Sequence, residues 1–389
     1  MKKLSLAVAV CGAFAASAAN AQSSVTLYGL IDAGIAYTSN VANGAAGHGS
    51  GRVALASGNI SGSRFGLRGS EDLGGGLKAV FVLENGFSVS NGTLGQGGRM
   101  FGRQAFVGLS SNDFGTVTMG RQYDSMVDFV APLSGTAGPF GDSGFAHVYD
   151  NDNLQHTIRL NNSVKFTSVD YAGFKFGGAY AFSNSTDFTI DRAYSVGASY
   201  NNGPLRLAAA YLQINGSAQA NALSSSAQAS AGVDPSEITK VSPLTADVQR
   251  TVGGGVGYTF GPAAVNFVYT HSQFQNTTAF GLNHGSTNFN NYELNVKYAL
   301  TPALMLGLMD TYTDAHLNGV GGNLGTADPK WNQVNAIARY SLSKRTELYA
   351  EAMYQHAIGS NNHAVMYNAG GASATGNQVM GAVGMLTRF

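Results

Sequence analysis

The residues capable of bond-making chemistry are few in this chain and poorly placed for it. The one cysteine, Cys11, lies near the N-terminus, and none of the eight histidines stands in a His-x-x-x-His or cysteine-based ligand spacing, so no metal centre is expected. Gly253-Gly254-Gly255 lacks the Lys-Ser/Thr that completes a phosphate loop and reads as strand glycines beside bulky neighbours. His271 has no recognisable Ser or Asp partner for nucleophilic catalysis. Neither a catalytic residue nor a cofactor is expected. What remains is charge carried on alternating segments. Arg64 shares parity with Arg68, opposite Phe65 and Leu67, while Arg159 shares parity with Ser163 and Lys165, opposite Leu160, Val164 and Phe166. Such alternation puts an arginine on a wet face with an oily face behind it. Arg103 lies opposite Phe106, though Phe101 and Val107 then share its side; strict alternation groups Arg121 with Val117 and Met119.

The elements that must position these charges are strands. In Tyr292–Leu300, Tyr, Leu, Val, Tyr and Leu take one face, while Glu293, Asn295 and Lys297 take the other. The same dyad recurs at Leu77–Glu84, Phe174–Phe182, Leu205–Tyr211 and Val379–Phe389. Short turns are expected at Glu71–Gly76, Ser110–Gly115, Asp170–Gly173, Asn201–Pro204, Gly261–Pro262, Thr301–Pro302 and Ser341–Thr346. Longer polar segments, among them Thr38–Gly51, Gly216–Gln249 and His356–Gln378, lie between them. Seven turns and eight long loops make fifteen connections and hence sixteen strands, although Val53–Gly62 and Ala303–Thr313 alternate poorly. All eight prolines fall in turns and loops, as a closed hydrogen-bond ladder requires.

Which face is wet is decided by the ends and the composition. Lys2 and Lys3, the apolar run Leu4–Phe14 and the small residues Ala19-Asn20-Ala21 form the three-part pattern of a secretory signal peptide over residues 1–21. The run is too short for a membrane-spanning helix, and Val10 is too large for lipoprotein processing at Cys11. Removing the signal removes the only cysteine and takes Lys+Arg from 22 to 20 against 22 acids, a net charge of −2. That leaves no disulfide framework and no electrostatic footprint for nucleic acid. Charged residues are only 11% of the chain, while Tyr and Phe number 18 and 21; soluble domains average about 25% charged. An exported, charge-poor, aromatic-rich chain without a spanning helix fits an all-β, 16-stranded antiparallel transmembrane β-barrel.

Ser24-Val25-Thr26-Leu27-Tyr28-Gly29, Arg64-Phe65-Gly66-Leu67-Arg68-Gly69-Ser70-Glu71, Phe106-Val107-Gly108-Leu109, Gly120-Arg121-Gln122, Asn162-Ser163-Val164, Leu342-Ser343-Lys344-Arg345-Thr346 and Arg388-Phe389 carry a family resemblance. In order and spacing, over residues 22–389, the chain resembles the Gram-negative general trimeric porins, most closely those of β-proteobacteria. The resemblance implies a third extracellular loop folded inward, here about residues 124–155, whose acids face a basic column on the wall. Matched motif by motif, Arg64, Arg103 and Arg159 fall on that column, with Arg121 as a fourth candidate. Enteric members carry Pro-Glu-Phe-Gly in the loop; here Gly138-Pro139-Phe140-Gly141-Asp142 lacks the glutamate. Asp142 is the substitute candidate, then Asp128, with Asp150 and Asp152 behind them. A basic column with a thinned acidic partner favours anions.

The resemblance also implies passive diffusion of small hydrophilic solutes, a homotrimer, and an outer-membrane setting among lipid and lipopolysaccharide. The apolar outward residues Leu27, Ile31 and Ile35 would suit subunit packing as well as lipid. Val379, Gly381, Val383, Met385, Thr387 and Phe389 share one face of a terminal strand of the kind the barrel-assembly machinery recognises. Alternatives with the same barrel are a channel specific for sugars or carboxylates, a plugged structural barrel, or a barrel lipase or protease, the last lacking a Ser/His or Asp/His set.

Overall fold

A computed structural model describes residues 24–43, 48–137, 141, 143–184, 186, 188, 192–216, 244, 246–321, 328–359 and 362–389. The expected signal peptide lies outside the described residues. Strands β1 (Ser24–Ala42), β2 (Gly49–Ser57), β3 (Arg64–Gly74), β4 (Leu77–Gly86), β5 (Gln104–Ser111), β6 (Gly115–Gln122) and β7 (Leu160–Ser168) open the chain. β8 (Phe174–Ala181), β9 (Arg192–Asn202), β10 (Leu205–Asn215), β11 (Val248–Phe260) and β12 (Ala263–Thr277) follow. β13 (Leu282–Ala299), β14 (Leu304–Gly321), β15 (Lys330–Ser341), β16 (Thr346–Ile358) and β17 (Asn377–Arg388) complete it. Every pairing between them is antiparallel, and β17 returns to β1 from Leu30↔Arg388 to Thr38↔Met380, closing the sheet.

Seventeen segments make sixteen staves because one stave is broken. β2 pairs with the second half of β1 and β3 with the first half, while residues 58–63 between them leave the ladder. Gly58 turns at φ +76, and Ile60 packs on Phe145, Tyr349 and Met353 inside the barrel. Asp32 holds the departure: its Oδ2 accepts the Ile60 and Ser61 amides at 2.9 and 2.8 Å, and Tyr349 donates to its Oδ1 at 2.7 Å. This is the physical cause of the weak alternation at Val53–Gly62. At Ala303–Thr313 the cause differs: Met305 and Met309 on the inner face pack in the same interior cluster as Phe145.

The sheet is apolar outside and polar inside. On β13, Leu294 is 52% exposed while its neighbours Glu293 and Asn295 are 0% exposed, and β16 alternates buried and exposed along its length. Val53, Leu308, Val383 and Met385 share the exposed apolar wall; Thr251, Asn266, Thr270, Asn291 and Gln355 are buried on the inner one. A sheet in water would invert this, and a closed barrel in lipid demands it, since every backbone group is paired within the ladder. Among the described residues no helix is long and apolar enough to cross a membrane. The seven short turns fall where expected. The long segments are shorter than Thr38–Gly51, Gly216–Gln249 and His356–Gln378 suggest, because polar strand ends such as Thr38–Ala42 continue the ladder.

The connection between β6 and β7, residues 123–159, lies against the inner wall. Met126, Val130, Leu133, Leu154 and Ile158 pack on Ala193, Leu212, Ile214 and Val268. Glycines make room for it. A Cβ on Gly253 would lie 2.7 Å from Met126 Cε, and one on Gly197 would lie 2.5 Å from Phe129 Cδ2. Gly253→Leu should therefore unseat the loop, lowering stability by about 1–3 kcal/mol and altering single-channel conductance. Gly254→Leu, on the lipid side of the same strand, should leave conductance unchanged.

Candidate pore constriction

Tyr123, the first residue after β6, and His156, near the end of the same loop, meet edge to face at 5.1 Å between centroids. Three arginines gather around this pair. Arg103 donates from Nε to Glu84 Oε1 at 2.8 Å, and from Nη2 to Tyr123 Oη and His156 Nε2, both at 3.0 Å. The Arg159 guanidinium lies over the Tyr123 ring at 5.7 Å, and its Nη1 donates to the Thr157 carbonyl at 3.2 Å. Arg64 donates from Nη2 to Ser61 Oγ at 2.5 Å, and Arg103, Glu84 and Arg159 all lie within its electrostatic reach. Arg103 and Arg159 are each 2% exposed. Because His156 accepts from an arginine, its ring is neutral: burial, then Arg103, Arg159 and Arg64, depress its pKa well below the ordinary 6.5.

Glu84, on β4, is the acid paired with Arg103, and Tyr28 donates to its second oxygen at 3.0 Å. Among the described residues, three guanidiniums share this neighbourhood with the Glu84 carboxylate. In the sequence Glu84 was legible only as a polar position on the Leu77–Glu84 dyad; nothing local marks it as the partner of Arg103. Beside Arg103 and His156 a cavity of about 250 Å³ is bounded by Ser57, Ser63, Asn91 and Gln155.

Strand parity placed two arginines imperfectly. β5 begins at Gln104, so Arg103 precedes it and strand alternation does not govern its direction; its own amide pairs with the Glu84 carbonyl. Leu160 does not face lipid opposite Arg159. The register slips between Gly120 and Gln122 and Asn162 adopts φ +50, so Leu160 packs inside with Met126 and Ile158. Arg121 lies one residue before the end of β6. It keeps the parity of exposed Val117 and Met119, donating to the Gly102 carbonyl at 2.8 Å and to Asn161 Oδ1 at 2.5 Å.

Among the described residues, the loop acids are used within the loop or on the wall beside it. Asp128 accepts from Lys165 of β7 at 2.7 Å. Asp124 accepts the Met126 amide at 2.7 Å and Asn153 Nδ2 at 2.6 Å. Asp150 accepts the Gln155 and Thr157 amides at 2.9 and 3.0 Å. Burial pushes Asp124 up to about 6, and burial together with the nearby Asp152 pushes Asp150 up to about 7. Asp142 lies outside the described residues, although Gly141 beside it would bring a Cβ within 3.5 Å of Arg339 Nη1.

A model of the Gram-negative porin family matches residues 5–360. An outer membrane porin protein of Bordetella pertussis is 36% identical over 378 residues, covering 91% of this chain and 94% of the relative. Outer membrane porin protein 32 of Delftia acidovorans is 31% identical over 373 residues, covering 91% and 89%. Among solved structures, the anion-selective porin from Comamonas acidovorans aligns with a TM-score of 0.72 at 25% identity, covering 95% of this chain and 100% of that one. With its closed inside-out barrel and its charged interior, the chain belongs to the Gram-negative porins, outer-membrane channels through which small hydrophilic solutes pass by passive diffusion.

Proposed function

We propose that the pore favours anions, and that residues 124–155 narrow it against a basic cluster of Arg64, Arg103 and Arg159. The observation that carries this reading is the arrangement around Tyr123: three guanidiniums with Glu84 as their neighbouring acid. In a slot with low-dielectric walls a cluster of guanidiniums concentrates anions and repels cations. Arg121, bound to the Gly102 carbonyl beside Arg103, is a fourth positive charge on the outward parity of β6; Asp128, paired with Lys165, subtracts little from the field. The anion-selective Comamonas porin supports the same direction. The activity is conduction, with no catalytic role. The zero-current potential of the purified protein in a KCl gradient tests the proposal: it should lie on the chloride side, and a potential on the potassium side overturns it.

The reading extends to assembly. Residues 1–21 are a signal peptide removed on export, and the mature barrel is a homotrimer set among outer-membrane lipid and lipopolysaccharide after delivery by the barrel-assembly machinery. The exposed apolar side chains of Leu27, Ile31 and Ile35 on β1 support a packed subunit face. N-terminal sequencing of the outer-membrane form should read from Gln22, and chemical crosslinking should stop at three chains.

A further inference from the structure

The loop of residues 123–159 is tied to β13 through a buried imidazole. His147 donates from Nδ1 to Asp152 Oδ2 at 2.6 Å within the loop, and from Nε2 to Glu293 Oε2 at 3.0 Å on the barrel wall. All three side chains are fully buried. Glu293 also accepts Ser134 Oγ and the Gly135 amide, both at 2.7 Å, while Asn295 of the same strand donates to the Leu133 carbonyl at 2.9 Å. Asp152 accepts Thr270 Oγ1 of β12 at 2.6 Å. Two carboxylates on opposite sides of one ring require both ring nitrogens to carry protons. A neutral ring would turn a lone pair towards one of them and leave a buried acceptor unsatisfied.

We propose that His147, as an imidazolium clamped between Asp152 and Glu293, is a positioning residue that pins the loop to the wall and so holds the pore at its working width. This rests on the reading of residues 124–155 as the narrow part of the pore. Beside the apolar seat and the neutral hydrogen bonds around it, the clamp adds one directional, charge-assisted bond from loop to wall, His147 to Glu293, and a second within the loop, His147 to Asp152, that orients the ring. Burial alone would depress the ring, but Asp152 and then Glu293 outweigh it and push its pKa up to about 10. Among the described residues the titratable groups facing the ring are these two, with Asp150 beside Asp152; β12 and β13 add only Thr270, Asn291 and Asn295. In an undocked loop the ring would titrate near its ordinary value of about 6.5. Its raised docked value means that docking is favoured below that pH and that the advantage is lost as pH rises towards about 10. Asp150 and Asp124, raised by burial, act in the same direction, their effect developing from the ordinary carboxylate range up to about 7 and about 6.

Single-channel recordings of the purified full-length protein in planar bilayers, between pH 6 and 10, test the clamp. The open wild-type current should be quiet at pH 6 and become several-fold noisier towards pH 10. His147→Gln should be several-fold noisier already at pH 7, with little further change on raising the pH. His147→Gln/Glu293→Gln should recover much of the quiet, because one of the two carboxylates that had lost the imidazolium is gone; a residue that merely filled space would show no such relief. If His147→Gln fails to assemble, Glu293→Gln alone serves, and its noise should set in at lower pH than in the wild type. A His147→Gln channel as quiet and as pH-dependent as wild type, or a Glu293→Gln onset unchanged, overturns the proposal. The zero-current potential in the same recordings reports the arginines separately. Cation preference with the clamp behaviour intact defeats the selectivity reading alone, and anion preference with no clamp behaviour defeats this one alone.

Discussion

Replacing Arg64, Arg103 and Arg159 by glutamine should reverse the sign of the zero-current potential in a KCl gradient, and the reversal should arrive in steps. Arg64→Gln/Arg159→Gln leaves the Arg103–Glu84 pair intact and removes two of the three positive charges, so anion preference should fall steeply. Adding Arg103→Gln strands Glu84 beside Tyr28 and Tyr123 and turns the local charge negative. The total swing should be on the order of 20 mV or more, against the roughly 59 mV per tenfold gradient of a perfectly selective channel. The last step also carries a stability cost. Arg103 and Glu84 are both nearly inaccessible to solvent, and removing one partner of such a pair costs about 3–5 kcal/mol, whereas removing both is far milder. Arg103→Gln should therefore lower the urea midpoint more than Arg103→Gln/Glu84→Gln does. A three-arginine variant that keeps full anion preference would show that the selecting charge sits elsewhere in the lumen. Arg121→Gln, on the outward parity of β6, should move the potential by only a few millivolts, a small fraction of that roughly 59 mV limit.

The barrel was legible in the sequence because the partition between lipid and water acts on each residue of a strand separately. Glu293 and Leu294 differ by one position and by an entire environment, and that contrast needs no knowledge of the partner strands. Turns were legible for a similar reason, since Gly261-Pro262 and Asn201–Pro204 carry their geometry in their own backbones. Features set by distant partners were not. The break at residues 58–63 is held by Asp32 and Tyr349, and nothing in Val53–Gly62 announces a tyrosine far along the chain. Arg64 and Arg159 were placed near one another through motif matching and parity. That Arg103 has Glu84 for a partner depends on the register of β4 against β5, and that His156 is kept neutral among the arginines depends on a loop folding back across the wall. His147 fell among histidines without metal-ligand spacing, and its role follows only from the carboxylates brought to it by the loop and by β13. Gly253-Gly254-Gly255 reads as strand glycines beside bulky neighbours, but that these include the loop side chains Met126 beside Gly253 and Leu133 beside Gly255 was not legible.

Gly29→Leu should prevent the barrel from closing, and the folded fraction, read as the heat-modifiable band after refolding into detergent, should fall more than tenfold. Gly29 exchanges both backbone hydrogen bonds with Phe389, each at 3.1 Å, next to the nine residue pairs from Leu30↔Arg388 to Thr38↔Met380 that join β1 to β17. A Cβ on Gly29 would stand 2.5 Å from the Phe389 ring and 2.6 Å from the Arg64 carbonyl oxygen. The ring can swing aside, but the carbonyl belongs to the first residue of β3 and moves only with that strand. Removing the ring should therefore rescue little: Gly29→Leu/Phe389→Ala should fold scarcely better than Gly29→Leu. The penalty is steep because closure is nearly all or none. Strands that part at this seam expose two ladder edges to lipid, where each unpaired amide or carbonyl costs several kcal/mol. Gly29→Ala is the informative intermediate. Its smaller side chain still presses on the Arg64 carbonyl, so barrels that do close should carry a displaced Arg64 and a weakened anion preference. Normal folding of Gly29→Leu would mean that the seam can re-register. Folded Gly29→Ala with unaltered selectivity would separate closure of the barrel from the placement of its arginines.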